Sequence, residues 1–116
     1  MLDIVEVERE MMENANLLEE LATTISDLGK AAAVADAANK TAYAKAILRA
    51  RARTDVKMTE EWAKAIAQAE TEDEYLAHQI AANAFTAARE ASKAAMSRMD
   101  GLRTLSANLR AVTTGV

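Results

Sequence analysis

The chain has 116 residues, a length that suits one domain with a single core. Its 28 alanines make up about a quarter of it, and it has no proline, no cysteine, one histidine and only 3% aromatic residues. Alanine loses no side-chain entropy in a helix, and so few aromatic and β-branched residues leave little from which to build a sheet. The composition therefore excludes all-β and α/β folds, disulfides, thiolate sites and a two-histidine metal site.

The net charge of −4 hides a strong segregation of charge along the chain. Residues 1–29 hold eight acidic residues and one basic residue, and residues 59–79 hold six and one. Residues 30–58 hold seven basic and two acidic residues, and residues 80–116 hold five and two. One interpretation is that oppositely charged helices pack side by side and neutralise each other. The other is that a basic segment is presented to an anionic ligand, and net charge does not decide between them.

The first two predicted helices cover residues 1–29 and 30–54. In the first, apolar residues from Ile4 to Leu28 recur in steps of three and four and form one stripe. Gly29 follows this stripe as a predicted C-cap or hinge. The second helix is basic, and its mostly alanine face permits close helix approach while burying little area per residue.

A short helix over residues 59–70 and a long one over 72–112 complete the prediction. Thr59 has the position of an N-cap, and Trp62 is interpreted as a packing anchor rather than a base-stacking platform. Thr71 has the spacing of a capping box at the start of the long helix.

Together these elements predict an all-α fold in a single domain over residues 1–116. We expect a helical bundle of three long helices plus one short helix, built around a long antiparallel helix pair. No segment resembles a signal peptide or approaches the roughly 20 apolar residues of a membrane span. The expected location is therefore the cytoplasm, which for a viral protein is that of the host cell, with no membrane partner.

An apolar stripe near the C-terminus has no later helix to cover it. It indicates homo-oligomerisation, although packing back on the first helix is an equally physical alternative. The predicted oligomerisation residues are Met99, Leu102, Leu105 and Leu109.

Enzyme chemistry finds little support. Glu10 with Glu13, and Glu70 with Asp73, have the spacing of paired metal ligands, but 18 acidic residues make chance pairs expected. The chain has neither a glycine-rich phosphate loop nor a nucleophile elbow. We therefore predict no enzyme activity, no cofactor and no metal site.

A run of basic residues is the remaining candidate site. Three of them recur every four residues on one helical stripe, two more extend it, and a second pair lies on the last helix. Such stripes can track the phosphates of single-stranded DNA, although solvated basic faces are also common. The predicted DNA-binding residues are Lys45, Arg49, Arg51, Arg53, Lys57, Arg89 and Lys93.

The order of these features resembles the phage recombination mediators of the UvsY type. The resemblance covers roughly residues 35–113 and is carried by Leu48-Arg49-Ala50-Arg51 in a basic helix, then by Ser97-Arg98 and the stretch 102–110 in a long helix. It implies an all-helical protein that forms ring-like oligomers, largely through C-terminal helices. It also implies that the protein binds single-stranded DNA and helps to load a recombinase onto strands coated by single-strand-binding protein.

On this resemblance, Arg49 and Arg51 correspond to the basic pair of the family's DNA-binding motif, and Leu102, Leu105 and Leu109 to its assembly region. The first hypothesis is therefore a phage recombination accessory protein that oligomerises and binds single-stranded DNA, with a recombinase or another protein as partner. The alternative is a phage protein-interaction module: a virion or assembly component, or an inhibitor of a host system, that uses its acidic first helix.

Overall fold

The structure is a computed structural model that describes residues 3–113. Its elements are three helices: α1 (Ile4–Arg51), α2 (Glu60–Glu70) and α3 (Glu72–Thr113). No strand occurs between residues 3 and 113, so the all-α class is confirmed.

The predicted boundary between the first two helices is wrong, because α1 continues through Gly29 for 48 residues. A glycine inside a helix costs about 1 kcal/mol relative to alanine, and the alanine-rich segment after it offsets that cost. The ring of Phe85 explains why a small residue suits this position. A Cβ atom at Gly29 would lie 3.2 Å from Cε1 of Phe85, so Gly29 permits a close side-chain contact and does not end the helix.

The two helical glycines are expected to respond differently to alanine. Gly101 has nothing within 4 Å of an added Cβ, so Gly101→Ala should stabilise the protein by about 0.5–1 kcal/mol through helix propensity. Gly29→Ala gains the same propensity, but the Phe85 ring must shift to accept the methyl group. Thermal unfolding followed by circular dichroism should therefore give a higher Tm for Gly101→Ala than for Gly29→Ala, and the opposite order would contradict the packing role of Gly29.

The described residues form two compact units. The terminal unit consists of residues 3–27 and 86–113, and the central unit of residues 28–85. In the terminal unit the start of α1 and the end of α3 run antiparallel, since Glu10 pairs with Arg98 while Asn14 bonds to Ala95. Its buried residues are Val7, Asn14, Ala88, Ala95, Met99, Leu102 and Ser106.

In the central unit, the second half of α1 packs against α2 and the start of α3. Ala46, Ile47 and Ala67 form a small core, and Tyr43 packs against it. Alanine-lined contacts let helices approach closely but bury little apolar area. The interpretation of Trp62 as a packing anchor is wrong, because it is 51% exposed while its neighbour Ala63 is buried.

Helices α2 and α3 are separated by one residue, Thr71. Its N–H and its hydroxyl Oγ1 both donate to the carbonyl of Ala67, at 3.1 and 2.8 Å. The capping-box prediction is therefore wrong in its chemistry, because this hydroxyl bonds back into α2. At the other end of α2 the predicted N-cap is confirmed: the N–H of Trp62 donates to Oγ1 of Thr59 at 3.1 Å.

Candidate nucleic-acid interface

The basic run lies in the central unit, at the end of α1 and in the connection to α2. Arg49 and Arg51 occupy the last turn of α1, where positive charge suits the negative end of the helix dipole. Arg53, Lys57 and the earlier Lys45 are also exposed to solvent. Five of the seven predicted DNA-binding residues therefore lie within 13 consecutive residues, and all five are exposed.

All three arginines of this run pair with carboxylates. Arg49 Nη2 lies 3.2 Å from Glu70 Oε2. Arg51 donates twice to Glu60, with a 3.1 Å bond from Nε to Oε2 and a second bond from Nη2 to Oε1. Arg53 donates to both oxygens of Asp55, at 3.1 and 2.7 Å.

Side-by-side neutralisation of charge is thus present in both units. In the central unit the basic end of α1 pairs with the acidic helix α2. In the terminal unit Glu10 pairs with Arg98, and Glu8 pairs with Arg110 at 2.6 Å. The partner of the basic helix is therefore the short acidic helix that follows it.

The Arg51–Glu60 and Arg53–Asp55 pairs are exposed, and each shifts the pKa values of its two members. The bonds from Arg51 hold the pKa of Glu60 below its usual value, and the bonds from Arg53 do the same for the pKa of Asp55. The pKa values of both arginines rise in turn. The three arginine side chains keep 63%, 48% and 45% of their surface exposed, and exposed ion pairs contribute little net stability.

The Arg51–Glu60 pair predicts a specific response to pH. Because the folded-state pKa of Glu60 is lowered, the pair's small contribution to stability is present above the unfolded-state pKa and is lost as pH falls through the folded-state value. A carboxyl ¹³C NMR titration should show the pKa of Glu60 rising in Arg51→Ala. An unchanged titration curve in that variant would remove Arg51 as the cause.

Two lysines of the run have no ion pair among residues 3–113: Lys45 and Lys57. Lys45 and Arg49 line one wall of an open groove of about 590 Å³. Glu70 and Glu74 lie on the other wall. The groove is therefore lined by both signs of charge, and its basic wall belongs to α1.

The other two predicted contacts belong to a different part of the chain. Arg89 and Lys93 lie in the terminal unit, and Lys93 Nζ lies 3.3 Å from Glu90 of its own helix. The predicted second stripe is therefore not part of the central unit that holds the basic run.

The predicted oligomerisation residues are mostly packed inside the terminal unit. Met99 and Leu102 are only 6% and 7% exposed, and Leu109 is partly buried. Leu105 is 37% exposed. For Met99 and Leu102 the structure shows the second alternative, in which the C-terminal stripe packs within its own chain.

Exposed aromatic side chains are functional candidates that the predicted set of DNA-binding residues does not include. Trp62 and Tyr75 are both 51% exposed and both lie in the central unit, which also holds the basic run. Aromatic faces of this kind stack on the bases of single-stranded nucleic acids. The signal was available, because Ala63 and Ala67 form an alanine stripe on α2 that directs the adjacent Trp62 away from the helix contact.

One carboxylate of each pair considered for a metal site forms an ion pair with an arginine. Glu10 pairs with Arg98 and Glu70 with Arg49, and no group of three metal-binding side chains occurs in the described part of the chain. His78 Nε2 lies 3.8 Å from Asp36 Oδ1.

Within residues 3–113 no helix has both the length and the apolar character needed to cross a membrane.

Comparisons with protein-family models, with curated proteins and with solved structures find no match to this chain. The similarity to the phage mediators is therefore carried by the sequence motifs alone.

Proposed function

We propose that this chain is a phage recombination accessory protein that oligomerises, binds single-stranded DNA and helps to load a recombinase. One observation carries the proposal: five exposed cations are gathered at the end of α1 and in the connection after it, in the unit that also exposes Trp62 and Tyr75. Cations bind the phosphates of a single strand, and exposed aromatic rings accept its unstacked bases.

The arginine ion pairs are compatible with this role because they are exchangeable. Each arginine keeps about half of its side-chain surface in solvent. A phosphate can therefore replace the carboxylate, because the displaced carboxylate stays exposed to water and no charge is buried without a partner. Lys45 and Lys57, which have no ion pair within residues 3–113, provide the first contacts. Binding is then expected to be weak per copy, strongly salt-dependent, and strengthened when several copies act together.

The test is a titration with single-stranded oligonucleotides at low and moderate salt. Trp62 is the only tryptophan and is half exposed, so its fluorescence reports contact with bases without a label. We expect saturable quenching at low salt and a steep loss of affinity as salt rises. The absence of binding even at low salt would contradict the proposal.

The second candidate function is a protein-interaction module, and the acidic part of α1 favours it. Glu13, Glu19, Glu20 and Asp27 are exposed and have no ion pair among residues 3–113. A row of free carboxylates suits a basic protein partner or imitates the charge of a nucleic acid. The same titration separates the two candidates, since this one predicts no DNA binding at any salt concentration.

A further inference from the structure

The central unit exposes large apolar side chains on two of its helices. Val34 and Leu48 on α1 are 70% and 62% exposed, and Leu76 and Ile80 on α3 are 49% and 69% exposed. Single exposed apolar residues are ordinary on a protein surface, but these fall in one stripe on each helix.

The two stripes lie on opposite sides of the unit. Asp36 on α1 faces His78 on α3, at 3.8 Å. Val34 is two residues from Asp36, which is about 200° around the helix, so it points away from α3. Ile80 is two residues from His78 and points away from α1 for the same reason.

The antiparallel pairing also puts the two stripes at the same level. Two residues before Asp36 on α1 corresponds in height to two residues after His78 on α3, so Val34 is level with Ile80. By the same count, Ala38 is level with Leu76. A second copy that is displaced sideways therefore brings Val34 of one chain onto Ile80 of the next.

Charge distinguishes the two stripes from each other. The α1 stripe is flanked by Lys30 and Lys45, and the α3 stripe begins at Glu72 and Asp73. None of these four side chains has an ion pair among residues 3–113. The α1 stripes of two copies therefore repel each other, and so do their α3 stripes, whereas the α1 stripe of one copy attracts the α3 stripe of another.

We propose that a second copy of this chain docks on the central unit through unlike faces. The outer face of α1, from Lys30 to Leu48, contacts the outer face of α3, from Glu72 to Ile80, on the next copy. Because each copy presents both faces, the contact repeats and forms a ring or an open filament, according to whether the rotation closes. This deepens, and rests on, the assembly part of the proposed function.

Cysteine cross-linking tests the contact directly because the chain has no cysteine of its own. Val34→Cys and ¹⁵N-labelled Ile80→Cys are mixed under mild oxidation, without DNA. We expect a disulfide dimer of mixed isotopic mass as the main product, and little dimer from either variant alone. Ala33→Cys, an exposed neighbour about 100° around the helix from Val34, should give at least tenfold less mixed dimer.

A second variant tests the charge argument. Ile80→Lys places a cation where the lysine-flanked face must dock, so light scattering should show at least a tenfold loss of association. Circular dichroism should show an unchanged helix content because Ile80 is exposed. Dimers linked only through like residues, or a wild-type chain that stays at 12.5 kDa, would overturn the proposal. Since DNA is absent, either result is independent of the DNA-binding titration.

Discussion

Replacing both Arg49 and Arg51 with alanine is expected to weaken single-stranded DNA binding about tenfold at low salt and to flatten its salt dependence. Each phosphate contact on a single strand contributes roughly 0.7 to the slope of log affinity against log salt, so the slope should fall by about 1.4. The measurement is the Trp62 fluorescence titration at several salt concentrations. Unchanged binding would remove these two residues from the interface.

The ion pairs supply a matched control for this variant. Arg98 and Arg110 also pair with glutamates, but they lie in the terminal unit. Replacing both with alanine changes the net charge equally and should leave the salt slope close to that of the wild type. An equal loss of affinity in this control would show that overall charge, and not the basic run, determines binding.

The same geometry predicts a gain of affinity from the opposite change. Glu60 and Glu70 are the ion-pair partners of Arg51 and Arg49. The double variant Glu60→Gln with Glu70→Gln therefore frees both arginines and removes two negative charges that repel phosphate. Affinity for single-stranded DNA should rise several-fold. Glu19→Gln with Glu20→Gln removes the same charge from the terminal unit and should give a smaller rise, so equal rises would argue against competition at the arginines.

The largest stability effect is expected for Asn14→Asp. Asn14 is 5% exposed, and its Nδ2 donates to the carbonyl of Ala95 at 2.7 Å. An aspartate in its place turns this donor into an ionised acceptor that faces a carbonyl oxygen in a buried helix contact. The expected loss is about 2–4 kcal/mol at pH 7, which lowers Tm on the order of 10 °C.

The sign of the pH dependence identifies the cause. Burial raises the pKa of the introduced carboxyl above its unfolded value, so its destabilisation grows as pH rises through the unfolded value of about 3.9. Below that pH the protonated carboxyl can donate to Ala95, and stability should approach that of the wild type at the same pH. Asn16→Asp, at an exposed position two residues away, is the control and should change Tm little. A loss that is independent of pH would contradict the buried-charge explanation.

Local features of the sequence were enough to predict the helical class and several helix ends. Thr59 caps α2 as expected, because an N-cap depends only on a hydroxyl and the N–H three residues later. The prediction that Gly29 is a C-cap or hinge was wrong because a glycine inside a helix costs little free energy. Its presence is explained by a contact with Phe85, which lies far along the chain. The capping-box prediction for Thr71 was wrong for a similar reason. Its hydroxyl can bond either to the helix that follows or to the helix that precedes it, and in the structure it donates to the carbonyl of Ala67 in α2.

The sequence predicted which cations form the candidate site, but it did not predict which side chains pair with them. The basic run is where the sequence placed it, at the end of a helix and in the connection after it. Which carboxylate pairs with Arg49 and which with Arg51 depends on how α1 and α2 pack, and no periodicity within one helix contains that information. The exposure of Trp62 has the same origin, since Ala63 and Ala67 are the buried residues of α2.

The amino-acid order was enough to predict that this protein is helical, that its charge is segregated, and where its cations are concentrated, because helix propensity and charge order are properties of neighbouring residues. The packing of the helices showed that the first two predicted helices are one and that Arg49 and Arg51 pair with carboxylates of α2. It also decided that the C-terminal stripe is packed within its own chain. These outcomes depend on contacts such as Gly29 with Phe85 and Arg49 with Glu70, which join residues far apart in the sequence.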